Sequence, residues 1–525
     1  MAEIELILGL LVVVAALGIV ARRLGVPYPI VLVIGGLLIG LVPNHPTIVL
    51  APELVFLLFL PPLLYIAAFF TSIRDFKSEA KPILRLAIGL VVATTAGVAV
   101  IVHQILPDLG WPLAFALGAI VSPPDAVAAT SIFRKLSIPR TTITVLEGES
   151  LLNDATGLVA YRIAVVAAVT GAFSIVDSGG QLLFVSISGV AMGLAAGWAI
   201  SRVRKKLQDP PVEITISLLT PYAAFLPADA LGASGVLATV ACGLYLGRQA
   251  PRIMDAETRV QGRAVWETLV FLLNGLVFVL LGLQMPAVVS QLSGHPISVL
   301  IGLPVLVSLA VVAIRFVWIF ATDIPRLLER RGAWREDVVL SWAGMRGVVS
   351  LAAALSLPLT LASGAALPDR DLLIFVTVCV ILVTLVGQGL SLPWLLRAVQ
   401  LRGDGAAEHE EAYAREVATA AARERLEALA EEWPDHLPLI ETLRAQYAHR
   451  LSHLGSEHTD GPEGQHPDAD QAAEQEMLEH RAIRHAVIEA ERGAVLELRD
   501  GGQINDEVLR RVERELDLEE LRMEA

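Results

Sequence analysis

Cysteine is nearly missing from this chain. Of 525 residues only Cys242 and Cys379 carry a thiol, and both fall inside apolar runs, so no disulfide framework can be built. Also missing are a nucleophile motif, a glycine loop that would cradle phosphate and any ligand spacing for a resident metal. Those absences remove the usual sequence grounds for an enzyme or for a bound cofactor. A cleavable leader is not expected, because the N-terminus "MAEIE" is acidic and "ARR" follows the first apolar run.

Apolar sequence is what the chain has in abundance: 54% of its residues are hydrophobic and the mean hydropathy is positive. A bilayer core takes about 20 apolar residues per helix. Thirteen spans fit between Ile4 and Leu396, with approximate limits 4–21, 28–43, 51–71, 83–106, 111–133, 141–170, 181–201, 212–228, 232–248, 264–286, 297–322, 336–361 and 371–396. The eighth is the weakest, since Pro221 and Pro227 interrupt it. Cations are absent from alternate loops: one set of loops holds 21 Lys and Arg, the other only Arg370. The positive-inside rule then sets the N-terminus outside and everything after Leu396 in the cytoplasm.

The expected architecture is an all-α polytopic membrane protein in two parts: a transmembrane domain over 1–400 and an acidic, mostly helical cytoplasmic tail over 401–525. Residues 1–396 carry 25 cations and 23 acids, whereas residues 397–525 carry 15 and 31, so the net charge of −14 belongs to the tail. Its sign argues against nucleic acid as a ligand. Helix formers dominate up to Pro434 and again to about Leu454. A flexible linker follows near 455–473, and helices are expected at 474–498 and 506–522. Eight of the eleven histidines lie in the tail. Either they make it a pH-sensitive partner of the basic loops or they are incidental to a solvated helical tail.

Two spans are not simple apolar helices. The fifth contains "VSPPDAV", Val121 to Val127, and the twelfth "WAGMRGVVS", Trp342 to Ser350. Irregular backbone at such depth is tolerated only where it is buried in protein or lines a wet cavity. The two breaks lie seven spans apart, an odd offset, so the spans run in opposite directions. Two inverted six-helix repeats, spans 1–6 and 8–13, follow from that spacing, and paired broken helices point to a transporter's binding site. On the seventh span, Gly189, Gly193 and Gly197 share a face that suits close helix packing or belongs to an ordinary glycine-rich helix.

Between the breaks runs "GESLLNDATG", Gly148 to Gly157. A carboxylate near the bilayer centre costs about 2.5–3.5 kcal/mol on insertion scales, so Glu149 and Asp154 need reasons to be there. Ser150 and Asp154 share one helical face, and Glu149 and Asn153 an adjacent one. With Asp125 of the fifth span they gather hard oxygen donors, which suit a small dehydrated cation better than a soft metal. Asp125 could instead offset the positive end of a half-helix capped by the serine of "SPP", and Asn153 could be interhelical glue. Arg346, in the other broken span, is the natural counterion of Glu149, which leaves Asp154 free for something mobile. The sequence names no partner for Arg162 or Arg315.

The stretch "SPPDAVAATSIFRKLSIPRTTITVLEGESLLNDATGLVAYR" followed by "SWAGMRGVVSLAAALSLP" resembles the monovalent cation:proton antiporter-1 family, the NhaP-like bacterial group related to animal sodium/proton exchangers. "FLPPLLY" and "FLLNGLVFVLLGLQMP" carry the same resemblance, which covers nearly all of residues 1–400, and "INDEVLRRVERELDLEE" resembles the tails of some bacterial members. The resemblance implies a secondary transporter in the cell membrane, a homodimer, that exchanges Na⁺, or Li⁺ or K⁺, for H⁺ in pH and sodium homeostasis. It makes Asp154 the cation- and proton-binding carboxylate, Asp125 and Ser150 further site positions, and Glu149 with Arg346 a structural ion pair. Asn153 before the aspartate is associated there with electroneutral exchange. Two positions depart from the pattern: Ile66 follows "PPLLY" where some members have glutamate, and Pro124 precedes Asp125 where some have a hydroxyl residue. A K⁺-selective antiporter, a cation channel and a membrane sensor remain as alternatives.

Overall fold

The computed structural model describes residues 2–42, 52–133, 138–171, 175–207, 209–290, 292, 294–324, 332–401, 403, 420–432, 434–456 and five isolated positions further on. Among them the chain is helical with no strand, only an isolated bridge between Thr360 and Ala366. The helices are α1 (Ala2–Leu24), α2 (Tyr28–Gly40), α3 (Pro52–Phe70), α4 (Ile73–Ser78), α5 (Ala80–Leu84), α6 (Val91–Ile105), α7 (Gly110–Val121), α8 (Ala126–Phe133), α9 (Arg140–Thr170) and α10 (Ile175–Arg204). They continue as α11 (Pro210–Ala230), α12 (Gly235–Ile253), α13 (Ala256–Ser290), α14 (Ile297–Thr322), α15 (Ala333–Trp342), α16 (Val348–Leu355), α17 (Arg370–Leu382) and α18 (Gly389–Val399). π-Helical turns at Arg85–Leu90 and Val383–Gln388 join α5 to α6 and α17 to α18.

Among the described residues six continuous helical segments are long and apolar enough to cross a membrane: Ala80–Ile105, Arg140–Thr170, Phe184–Arg204, Glu257–Ser290, Ile297–Thr322 and Arg370–Val399. Shorter apolar helices accompany them, among them Tyr28–Gly40, Leu57–Phe70 and Pro107–Val121. The prolines that weaken the eighth stretch in sequence do not break it, since α11 runs through both Pro221 and Pro227. Neighbouring helices and hydroxyl side chains absorb such interruptions in membrane helices. Here α11 stays helical through both prolines while packed along α12 and α10.

Helix packing sorts the membrane part into two bundles. One is a scaffold of α1, α2, α3, α10, α11, α12 and α13, in which α2 lies along α13, and α3 and α10 along α12. The other holds α5 to α9 and α14 to α18, with α7 between α6 and α9 and α14 against α6, α15 and α17. The bundles meet where α3 and α13 touch α16 and where α2 touches the π turn after α17. Small residues make the scaffold seams. A Cβ on Gly193 of α10 would sit 2.1 Å from the Ala238 carbonyl oxygen, and one on Gly189 2.6 Å from that of Ser234. The glycine face of α10 is thus the side that faces α12. Gly193→Ala should push these helices apart at an overpacking cost of about 1–3 kcal/mol. The expected result is a lower melting temperature of the purified protein in detergent; an unchanged melting point would contradict the seam.

The chain divides into two compact units, Met1–Ala406 and Ala407–Ala525. The second is the tail. Its described part is helical over 420–432 and in α19 (Leu437–Ser456), with a bidentate Arg425–Glu432 pair at 2.9 and 3.1 Å. The expected linker near 455–473, the helices at 474–498 and 506–522 and the start of the tail lie outside the described residues, apart from isolated positions.

Candidate functional site

Proline decides where α7 stops. Pro123 and Pro124 have no N–H to continue the helix, and the Ser122 hydroxyl closes its last turn by donating to the Ala119 carbonyl at 3.0 Å. The chain runs through Asp125 and restarts as α8 at Ala126. The second break spans 343–347, between α15 and α16. The two breaks are joined: the Asp125 N–H donates to the Met345 carbonyl at 2.7 Å. Gly347 leaves room for the acid, since a Cβ there would lie 1.7 Å from Asp125 Oδ2.

Charge and helix ends match at this crossing. Asp125 precedes the N-terminus of α8 and lies against Gly347 at the N-terminus of α16, so one carboxylate faces two partly positive helix ends. Arg346 does the reverse. Its Nε donates to the Val121 carbonyl at 2.7 Å and its Nη1 to the Gly344 carbonyl at 2.8 Å, the C-terminal ends of α7 and α15. Its backbone N–H donates to Thr384 Oγ1 at 3.1 Å, within the π turn after α17. π turns recur at functional sites, but the sequence offers no signal that would have singled out Thr384.

α9 lies across both breaks. Gly157 accommodates Pro123, whose Cγ would be 2.6 Å from an added Cβ. One turn earlier Asn153, fully buried, donates from Nδ2 to the Pro124 carbonyl at 3.1 Å, and no described residue serves its Oδ1. Ser150 accepts from the Ala126 N–H at 3.3 Å, so the first amide of α8 is served by Ser150, not by the serine of "SPP". Asp154 is 7% exposed, and among the described residues no donor or cation binds its carboxylate. The charge that acts on it is Asp125. Asp154, Asp125, Ser150 and Asn153 therefore surround the break with oxygen donors, and Asp125 and Ser150 remain partly exposed.

Glu149 does not take the expected partner. Its carboxylate receives both ends of the Arg315 guanidinium, Nη1 to Oε1 at 2.5 Å and Nη2 to Oε2 at 2.7 Å, with all groups buried. Arg315 reaches from α14, donates from Nε to the Leu340 carbonyl, and passes Gly344, where a Cβ would lie 2.5 Å from its Cδ. The direct pair thus goes to Arg315, while Glu149 reaches Arg346 through charge without a hydrogen bond. Arg346 gives Nε and Nη1 to the carbonyl ends of the half-helices and its Nη2 has no described partner, whereas Arg315 presents a planar fork to the carboxylate. Arg162 also has a partner: it pairs with Asp229 at 3.0 Å, linking α9 to the end of α11 through two half-exposed side chains.

The fold is shared with solved structures. A sodium proton antiporter from Methanocaldococcus jannaschii matches with a TM-score of 0.61 over 76% of this chain and 99% of that one, at 21% identity. A Mycobacterium bovis protein named as an uncharacterized Na⁺/H⁺ exchanger is 36% identical across 99% of this chain and 97% of its own length. A Bacillus subtilis protein named a sodium, potassium, lithium and rubidium/H⁺ antiporter is 35% identical across 74% of this chain and 61% of its own length. Residues 9–398, nearly all of the two helix bundles, match the family described as sodium/hydrogen exchanger, transmembrane, and the chain belongs to that family.

Proposed function

We propose that this multi-pass membrane protein exchanges Na⁺ for H⁺ through competition at Asp154, with Asp125, Ser150 and Asn153 completing the site. The observation that carries the reading is a buried carboxylate with no fixed cation beside it, while both nearby arginines are engaged elsewhere. An intramembrane acid without a fixed counterion has a mobile one. Asp154 holds either a cation or a proton, so each flux depends on the other. The bundle of broken helices moves against the scaffold and exposes the site to one side at a time. Glu149 and Arg315 hold α9 to α14 and take no part in ion binding.

The same reading has thirteen spans in two inverted repeats, an outer N-terminus, a cytoplasmic tail, a homodimer in the cell membrane and neither enzymatic activity nor a cofactor. The residue before Asp154 is Asn153, not a second acid, so one cation exchanges for one proton and no net charge moves. Exchange in proteoliposomes should then be insensitive to an imposed membrane potential. A potential-dependent rate or a measurable current would contradict it. K⁺ selectivity is the second reading, because the Bacillus subtilis relative is named for potassium as well as sodium. Exchange with Na⁺, Li⁺ and K⁺ across a pH series decides between them, and uphill flux driven by the opposing gradient excludes a channel.

A further inference from the structure

Asn274 interrupts the most apolar part of α13, in "FLLNGLVFVLLG", and is 1% exposed. An amide buried in a membrane helix is costly without partners. Its one hydrogen bond among the described residues runs from Nδ2 to the Tyr28 hydroxyl at 3.5 Å, the limit of such a bond, and no described donor reaches its carbonyl oxygen. Packing alone explains neither the residue nor its orientation.

Tyr28 opens α2, and its ring lies on Phe271 with centroids 5.6 Å apart. The Asp125 carboxylate, across the boundary between the two bundles, is near enough for its charge to be felt at the hydroxyl. The packing around it agrees. Ile30, two residues on, lies 3.1 Å from where a Cβ on Gly389 would stand, and Met345 Sδ lies 3.5 Å from the same point. Met345 is the residue whose carbonyl holds Asp125. With 13 residues α2 is about 20 Å long, well short of the roughly 30 Å hydrocarbon core.

We propose that Tyr28 and Asn274 flank the path by which a partly dehydrated monovalent cation reaches Asp125 and Asp154, and that they tune which cation is accepted. This rests on the antiport reading above. Carboxylates supply most of the attraction but distinguish alkali cations poorly. Neutral hydroxyl and amide oxygens replace hydration water without trapping the ion, and their number and spacing favour one ion size over another. Because the pair belongs to the scaffold and the carboxylates to the other bundle, the pair meets the ion in only one orientation of the two. Its effect falls on cation binding from one side of the membrane.

The test uses full-length protein in proteoliposomes, with Tyr28→Phe, which keeps the ring on Phe271, and Asn274→Leu, which keeps the volume. Half-saturating concentrations of Na⁺, Li⁺ and K⁺ are measured for each. The expected result is a rise of about 5-fold for at least one cation, the size of one neutral hydrogen bond, with an altered ratio among the three. Unchanged half-saturation and ratios in both variants would overturn the proposal. So would an equal loss of maximal rate for all three cations, which is the mark of a merely structural role. Should Asn274→Leu fail to fold, Tyr28→Phe alone decides. If the unaltered protein exchanged no cation at all, the antiport reading itself would fall.

Discussion

Asp154→Asn should abolish cation/proton exchange while the protein still inserts, folds and melts no earlier than the parent. Asparagine keeps the shape of the side chain but neither titrates nor carries charge, so both halves of the competition are lost together. Asp125 does not take over. It faces the N-terminal ends of two half-helices, and its backbone is tied to Met345. Stability moves the other way from activity, because an ionised carboxylate at depth costs about 2.5–3.5 kcal/mol on insertion scales and the amide removes that cost. Two measurements check this: proton flux from a pH-sensitive dye in proteoliposomes, and thermal melting in detergent. Substantial exchange by a well-folded variant would sink the mechanism. Loss of exchange together with a lower melting temperature would mean that Asp154 holds the fold instead.

The breaks were legible in the sequence because composition and depth disagree there. "SPPD" and "AGMRG" make poor helix where lipid forbids anything else, so the conflict itself marked a buried crossing. The oxygen-rich face of α9 was legible because helical spacing alone puts Ser150 with Asp154 and Glu149 with Asn153. The partner of Glu149 was not legible. Arg315 and Arg346 are both intramembrane cations, and sequence separation says nothing about which guanidinium lies flat against the carboxylate. The path of α14 past Gly344 decides that, and it is a tertiary fact. Tyr28 was invisible for a similar reason. A tyrosine at a helix start is ordinary until the short α2 is seen docked on the second break. The prolines of α11 misled in the opposite direction, since the helix, packed against α10 and α12, carries both without a break.

The Glu149–Arg315 assignment carries the second large effect. Both groups are buried, and removing one partner of such a pair typically costs about 3–5 kcal/mol because the other charge is left unpaired. Glu149→Gln and Arg315→Leu should each lower the melting temperature far more than Asp154→Asn does. The double variant should recover part of the loss, since it buries no unpaired charge. The same cycle with Arg346 separates the alternatives. Arg346 serves the Val121 and Gly344 carbonyls, so Arg346→Leu is itself damaging, but its coupling to Glu149→Gln should be smaller than that of Arg315→Leu, since Glu149 acts on Arg346 through charge without a hydrogen bond. The measurement is melting of the four singles and doubles in one detergent at fixed pH and salt. A coupling larger for Glu149 with Arg346 than for Glu149 with Arg315 would restore the pairing expected from sequence. It would also place the guanidinium of Arg315 elsewhere, free to act on the ion path. A larger coupling for Glu149 with Arg315 leaves Arg346 as the cation that holds two helix ends together, and Asp154 as the one deep carboxylate of α9 open to an ion.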